Sequence, residues 1–506
     1  MARFGADMAY SRAKRATARP YIMQIPYFTI SMKKFLFAAS LVAALTAQAV
    51  ELPDVMSDNA VLQQQSDARL WGWAKPGDTV KVNTTWTGDR TFTAKAGKTG
   101  RFDLTVPTPG ASFTPQTITF DDGVAPAKMD NVLIGEVWFT SGQSNMEMPL
   151  RGFGIQPIEG AAQAIAYSGK YPGIRMVMVP KLKSYKPEEK TVGKWKVSSP
   201  ANAGEFSALA YFFAMSLSDI LGTPVGIINN AYGGSSVEGW LPREILDTYE
   251  GYDIDREAAD STINDWERIG IMYNSMMHPL EGYTIRGFLW NQGESNVGRH
   301  AEYPTHLADM VKHWRTQWGQ GDLPFYFVEL PPWSYSAPQE THAALFRECQ
   351  HRAAEMIPNS GIVCTTDLIY PREIEDVHAS QKQPIGERLA FMAANKTYGI
   401  DGIPTEYPEY KEVELKGDTA VISFKNPWSG LNPNLNLQGF EVAGEDRVFH
   451  PATATEDWNT YKVTVTSPEV KDIKSVRYCF RNFAPGTLKN MYGLPLVPFR
   501  TDDWDK

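Results

Sequence analysis

Gly135-Glu-Val-Trp-Phe-Thr-Ser-Gly-Gln-Ser-Asn-Met-Glu-Met148 divides into two halves of different physical character. The apolar run that reaches back to Val132 and ends at Phe139 reads as a buried strand. It breaks at Ser141-Gly142-Gln143, and a polar, helix-compatible segment follows. A strand that ends in a glycine turn and hands Ser144 to a helix start exposes that hydroxyl beside free backbone N–H groups, which suits a nucleophile. Ser144 or Asn145 could equally be a helix cap, since both residue types are preferred there. Both readings stand on this stretch alone, and the rest of the chain separates them.

Around this stretch, from about Asn131 to residue 404, strands alternate with helices. Strands are expected at Ile134–Thr140, Val225–Ala231, Ile285–Trp290, Pro324–Leu330 and Gly361–Thr366. Phe206, Leu209, Phe213, Leu217 and Ile220 mark one helical face that stops at Gly222 before Pro224. Leu307, Met310, Val311, Trp314 and Trp318 mark a second helix, and Ile385, Leu389 and Met392 a third between Pro384 and Thr397. Continuous apolar strands alternating with amphipathic helices imply an α/β fold, a parallel sheet covered on both faces. Sites in such sheets lie beyond the carboxyl ends of the strands.

The flanks read differently. Residues 50–130 hold short strands such as Ala68-Arg-Leu-Trp-Gly-Trp73 and Thr79-Val-Lys-Val-Asn83, punctuated by Pro76-Gly77 and Pro109-Gly110. Residues 405–506 return to this pattern with Ala420-Val-Ile-Ser-Phe424 and Tyr461-Lys-Val-Thr-Val465. Both are expected to be β-sandwich-like regions beside the α/β domain at 131–404. Lys181–Ser199 reads as a charged surface loop, and Tyr249–Trp266 as an acidic, helix-compatible segment of open role.

Four polar clusters fall on the carboxyl side of the expected strands: Gly142-Gln-Ser-Asn-Met146, Gly233-Gly-Ser-Ser236, Asn291-Gln-Gly-Glu-Ser-Asn296 and Glu375-Asp-Val-His378. Together they supply the parts of acyl transfer. Ser144 needs a base, and His378 has the right intrinsic pKa. The imidazole in turn needs a carboxylate or carbonyl to fix its tautomer: Asp376 is nearest in sequence, with Glu375 and Glu294 as rivals. Oxyanion donors would be the Ser144 N–H, the N–H of Gly233 or Gly234, and the Gln292 amide. Asn291 is a candidate substrate contact. Arg299 could meet a substrate carboxylate, although an arginine there more often caps or solvates a loop.

Gly142-Gln-Ser-Asn-Met146, Trp290-Asn-Gln-Gly-Glu-Ser-Asn296 and Asp376-Val-His378 resemble blocks of the sialate O-acetylesterases, within the SGNH-hydrolase superfamily. The resemblance runs from about Glu51 to the end and includes Phe206-Ser-Ala-Leu-Ala-Tyr211, Pro224-Val-Gly-Ile-Ile228, Gly439-Phe-Glu-Val-Ala-Gly444 and Phe499-Arg-Thr-Asp502. It implies an SGNH-type sheet and hydrolysis of O-acetyl esters on sialic acid or related glycans, with Ser144 as nucleophile and His378 as base. The family's last block often continues from the His with Pro, where this chain has Ala379. The superfamily's acid stands three residues before the His, which is Glu375 here. The same chemistry would serve acetylated xylan, and a non-catalytic glycan-binding protein is the reading from another class.

The other histidines read as structural or solvated: His278 at a helix end near the core, His306 and His313 on the polar side of their helix. No His/Cys/Asp/Glu group has metal-ligand spacing, so no metal or other cofactor is expected. Cys349, Cys364 and Cys479 lack a disulfide framework and read as buried thiols. A net charge of −9 over 506 residues argues against a nucleic-acid partner. Oligomeric state is not readable.

At the amino end, Met32-Lys-Lys34, an apolar run from Phe35 to Leu45 and Ala47-Gln-Ala49 have the layout of a secretory signal peptide. Residues 1–49 are therefore expected to be an upstream extension plus signal, with the true start at Met32 and the protein secreted or periplasmic. The apolar run is too short for a membrane span.

Overall fold

The computed structural model describes residues 49–504 apart from Ser336, 427–435 and Trp458. The signal-peptide reading therefore falls, save for Ala49, outside the described residues. Among the described residues no helix is long and apolar enough to cross a membrane.

The strand expected at Ile134–Thr140 is the middle of a longer one, β1 (Ala127–Gly142). Its first part pairs antiparallel with Ser112–Asp121 and parallel with Val61–Gln63, in the amino-terminal β region. From Glu136 onward it pairs in parallel with Val225–Ala231 and, from Trp138, with Gly287–Asn291. One strand thus serves both sheets, and the division expected near residue 130 falls inside it. At the junction the buried Glu136 carboxylate accepts from Gln63 Nε2 (2.9 Å), Gln64 Nε2 (2.6 Å), Arg286 Nε (2.9 Å) and Tyr398 Oη (2.8 Å). This density of donors offsets the cost of burying its charge.

The central sheet adds β2 (Ile174–Met178), β3 (Lys196–Val197), β4 (Val225–Ala231), β5 (Gly287–Asn291), β6 (Phe325–Val328) and β7 (Ser360–Val363). Their order across the sheet is β7-β6-β5-β1-β4-β2-β3, parallel throughout except for β3 at the edge. β2 was not anticipated, because Arg175 interrupts its apolar pattern; that guanidinium is buried and donates to the Asn131 carbonyl and side chain.

Side chains along the strands alternate between two cores. Trp138, Leu289, Tyr326 and Val328 point to one face, which α2 (Ala208–Leu221) and α5 (Lys382–Met392) cover. Phe139, Phe288, Trp290, Phe325 and Phe327 point to the other, under α3 (Tyr303–Trp318) and α4 (His342–Met356). These faces are the reason the strands read as unbroken apolar runs. Each large side chain so buried stabilises the fold by about 1.5–3 kcal/mol. The three expected helices form; α2 is capped by Ser207 Oγ, which accepts from Ala210 N, and ends at Gly222.

Two readings of α3 are corrected. His306 is 4 % exposed, stacked on Tyr249, with Nδ1 3.1 Å from Glu238 Oε1. His313 Nε2 lies 2.8 Å from Tyr273 Oη. Both are covered because chain from the β4–β5 connection folds back over the helix face that looks polar in sequence.

The carboxy-terminal region is two four-stranded antiparallel sheets around one core that includes Ala420, Ile422, Val442, Val463, Val465 and Val476. It is tied to the central region through Arg347 Nη2, which donates to Arg481 O (2.5 Å), and Asn482 Oδ1, which accepts from Ala343 N (2.8 Å). The three cysteines are free and buried.

Candidate active site

At the carboxyl end of β1 the chain must turn between two neighbouring strands. Gly142 has φ +137°, and a Cβ there would collide with the Asn291 carbonyl, so only glycine fits. Gln143 N–H donates to that carbonyl (3.0 Å), and Gln143 Oε1 accepts from Gly293 N–H (3.2 Å). α1 (Ser144–Glu147) follows at once. Met146 and Glu147 N–H close on Gln143 O (2.9 Å each), leaving the N–H groups of Ser144 and Asn145 without backbone partners. Ser144 is partly exposed while Asn145 is buried. No side-chain cap bonds this helix start, so capping does not explain Ser144.

Asn145 ties this corner to the last motif. Its Nδ2 donates to Val377 O (3.0 Å), the carbonyl just before His378, and to Glu294 Oε1. Its Oδ1 accepts from Lys382 Nζ (2.5 Å), the amino end of α5. Ser144 and His378 are thereby each next in sequence to a residue of one hydrogen-bonded pair.

His378 is held by a residue the sequence reading did not consider. Gln156 Oε1 lies 2.7 Å from His378 Nδ1, and Gln156 Nε2 lies 2.7 Å from Asp376 Oδ1. An ionised carboxylate can only accept, so the amide nitrogen faces Asp376 and the amide oxygen faces the ring. Nδ1 therefore carries the hydrogen, and Nε2 presents its lone pair. Nε2 is buried with no hydrogen-bond partner. Burial, and then the Lys382 ammonium, lower the imidazole to about 4, so the ring is neutral at physiological pH.

The three carboxylates weighed for the orienting role take different places. Asp376 accepts from the His378 backbone N–H (2.9 Å) and reaches the ring only through Gln156. Glu375 accepts from Ser334 Oγ (3.1 Å) instead. Glu294 faces Asn145, and desolvation raises its pKa.

The anticipated oxyanion donors also divide. Gly233 N–H donates to Glu147 Oε2 (2.7 Å), and Lys181 pairs with the same carboxylate (2.9 Å). Gln292 is 1 % exposed, and its amide nitrogen donates to Ser235 O (3.1 Å) and Asn296 Oδ1 (2.7 Å). Two expected donors are thus occupied in this arrangement, whereas Ser144 N–H and Gly234 N–H are not held by other backbone groups. Asn291 is buried at the strand end beside Gly142. Arg299 is spent on Glu238 (3.1 Å), which also takes Asn296 and His306 and is held far below the usual carboxylate range by those partners despite burial.

Beyond Gly234 lies Trp266, 44 % exposed; a Cβ on Gly234 would fall 2.9 Å from its ring. Arg268 anchors this arch by donating to Glu257 O (2.5 Å), Asp260 O (2.8 Å) and Ile263 O (2.8 Å). Gln156, Lys382 and Trp266 were all missed. For Gln156 the sole local signal was Gly152-Phe-Gly154, which marks a tight turn but says nothing of a histidine 222 residues later.

Among the described residues, two groups bring three metal-capable side chains within 4.8 Å: Glu329, His351 and Cys364, and Glu238, Glu302 and His306. In each the central carboxylate is already satisfied, Glu329 by His351 Nε2 (2.7 Å) and Thr365 N (3.2 Å). Neither group includes Ser144 or His378.

Residues 134–395 match a family model described as carbohydrate esterase, sialic acid-specific acetylesterase. The human sialate O-acetylesterase is 25 % identical over 406 residues, which is 73 % of this chain and 75 % of the human protein. The mouse sialate O-acetylesterase is 25 % identical over 425 residues, 72 % and 76 % of the two chains. The crystal structure of a carbohydrate acetylesterase from Xanthomonas citri superimposes with a TM-score of 0.79 at 32 % identity, covering 90 % of this chain and 100 % of that one.

Proposed function

We infer the function from one premise: the chain belongs to the carbohydrate esterase family of sialic acid-specific acetylesterases, and it is a carboxylic ester hydrolase. The substrate we propose is an O-acetyl ester of sialic acid, hydrolysed through a serine acyl-enzyme. His378 Nε2 takes the Ser144 proton as Oγ attacks the acetyl carbonyl, and the N–H groups of Ser144 and Gly234 receive the oxyanion. The imidazolium returns the proton to the departing sugar oxygen. Water then repeats the cycle on the acetyl-serine and releases acetate. Gln156 holds the tautomer that this requires, and Asp376 holds Gln156.

The observation that carries this reading is His378 Nε2, a buried base with a free lone pair and a tautomer set from the other side of its ring. An imidazole kept only for packing would satisfy both nitrogens. Trp266, an exposed indole beside Gly234, supports a carbohydrate as the alcohol part, since sugar rings pack on aromatic faces.

One observation favours a second substrate, an acetyl ester of a neutral polysaccharide such as acetylxylan. Arg299, just after the third motif, and Lys181, beside Glu147, are already paired with Glu238 and Glu147. Acetate release from 9-O-acetylated sialic acid and from acetylated xylan, measured side by side, separates the two. A preference for xylan would overturn the sialate assignment and leave the esterase chemistry intact. Loss of hydrolysis in Ser144→Ala disposes of a purely glycan-binding role. Export by a signal peptide at Met32–Ala49 is part of the same proposal; an amino terminus upstream of Met32 in the native protein contradicts it.

A further inference from the structure

Lys382 is a buried cation at the site whose chemistry the reaction above leaves unused. It is a lysine only 1 % exposed, at the start of α5, and burial lowers its ammonium to about 8. A buried ammonium ordinarily survives by pairing with a carboxylate. Glu294, Asp376 and Glu373 all face Lys382 and stabilise its charge, yet among the described residues it forms an ion pair with none of them. Each has other partners: Glu294 takes Asn145, Asp376 takes Gln156 and the His378 N–H, and Glu373 takes Ser380 and Tyr370. The ammonium is instead aimed at Asn145 Oδ1, 2.5 Å away, on the amide that joins the Ser144 corner to the His378 loop.

An ammonium held this way has two consequences. Drawing on Oδ1 fixes the Asn145 amide, so its Nδ2 must face Val377 O and Glu294. A positive charge that no carboxylate contacts directly also disfavours a second positive charge nearby, and His378 is a titrating group that feels it, after burial. From the other elements, the groups packed around His378 are Gln156 and Phe153 on the loop after α1, both uncharged, and Asp376 on its own loop.

We propose that Lys382 is a positioning residue for the esterase reaction: it locks the Asn145 amide that joins the Ser144 corner to the His378 loop, and its charge adds to burial in keeping the His378 imidazole free of a proton until the hydroxyl delivers one. The same field makes the imidazolium a readier acid toward the sugar oxygen that must leave. This rests on Ser144 and His378 acting as nucleophile and base.

The test is the pH dependence of kcat/KM for a small aryl acetate in the wild type, Lys382→Arg, Lys382→Met and Glu294→Gln. In the wild type an acid limb near 4 and an alkaline limb near 8 are expected. Lys382→Met moves the acid limb up by at most about one pH unit, since burial stays in place, removes the alkaline limb, and lowers kcat more than it raises KM. Lys382→Arg keeps the acid limb and removes the alkaline one, because guanidinium stays charged. Glu294→Gln moves the alkaline limb to lower pH, since that carboxylate stabilises the ammonium. A purely structural lysine gives lower melting temperatures with both limbs in place, and that result overturns the proposal. If Lys382→Met does not fold, an alkaline limb unmoved in both Lys382→Arg and Glu294→Gln overturns it alone. Ser144→Ala keeps the two ideas apart: activity surviving there ends the serine-esterase reading, while its loss together with unmoved limbs ends the Lys382 inference only.

Discussion

The two corners of the site are built by different means. The Ser144 corner is backbone: Gly142 is wedged between β4 and β5, Gln143 bonds the β5 carbonyl, and α1 starts one residue later. The His378 corner is side chains: Gln156 from one loop, Asp376 from another, and Asn145 and Lys382 behind them. A backbone corner is rigid because the sheet register fixes it. A side-chain corner can be tuned one group at a time, and its failures should accordingly be graded.

Removing Ser144 or His378 breaks both corners equally. Ser144→Ala and His378→Ala should each lower kcat/KM for an aryl acetate by about 10⁴-fold or more, with melting temperatures near wild type. Gly142→Ala tests the rigid corner: forcing a Cβ against the Asn291 carbonyl should cost about 2–3 kcal/mol in chemical denaturation and take most activity with it. An active, stable Gly142→Ala would remove the distinction between the corners. On the adjustable side, Gln156→Ala should lower kcat by about a hundredfold with little change in KM. Asp376→Asn should cost about tenfold, since that carboxylate acts through Gln156. Equal losses in the two would mean that Asp376 touches the ring during turnover. The smallest effect lies outside both corners: Trp266→Ala should raise KM for an acetylated glycan several-fold, by about 1 kcal/mol, and leave aryl acetate hydrolysis unchanged.

The same contrast explains what could be read in the sequence. β1, β4 and the three amphipathic helices follow from local periodicity, and the motif at Gly142–Met146 from a strand ending in glycine. Those features are written in consecutive residues. Gln156 acts on a histidine far along the chain, and Lys382 precedes the apolar face by which its helix was recognised. Neither is marked by its neighbours. His306 misled for the reverse reason: its helix face looks polar, but a later fold-back covers it. Gln292 was expected to donate into the site because its motif ends a strand. Ser235 and Asn296, brought close by tertiary packing, take its amide instead.

In the proposed reaction His378 makes Ser144 a nucleophile. The direct test is to treat the protein at neutral pH with a fluorophosphonate and locate the adduct by mass spectrometry of the peptide carrying Gly142–Met148. One phosphonyl group on Ser144, formed in the wild type and at least a hundredfold more slowly in His378→Ala, is about what a general base supplies. An adduct on another residue, or labelling of Ser144 at the same rate without His378, would contradict it.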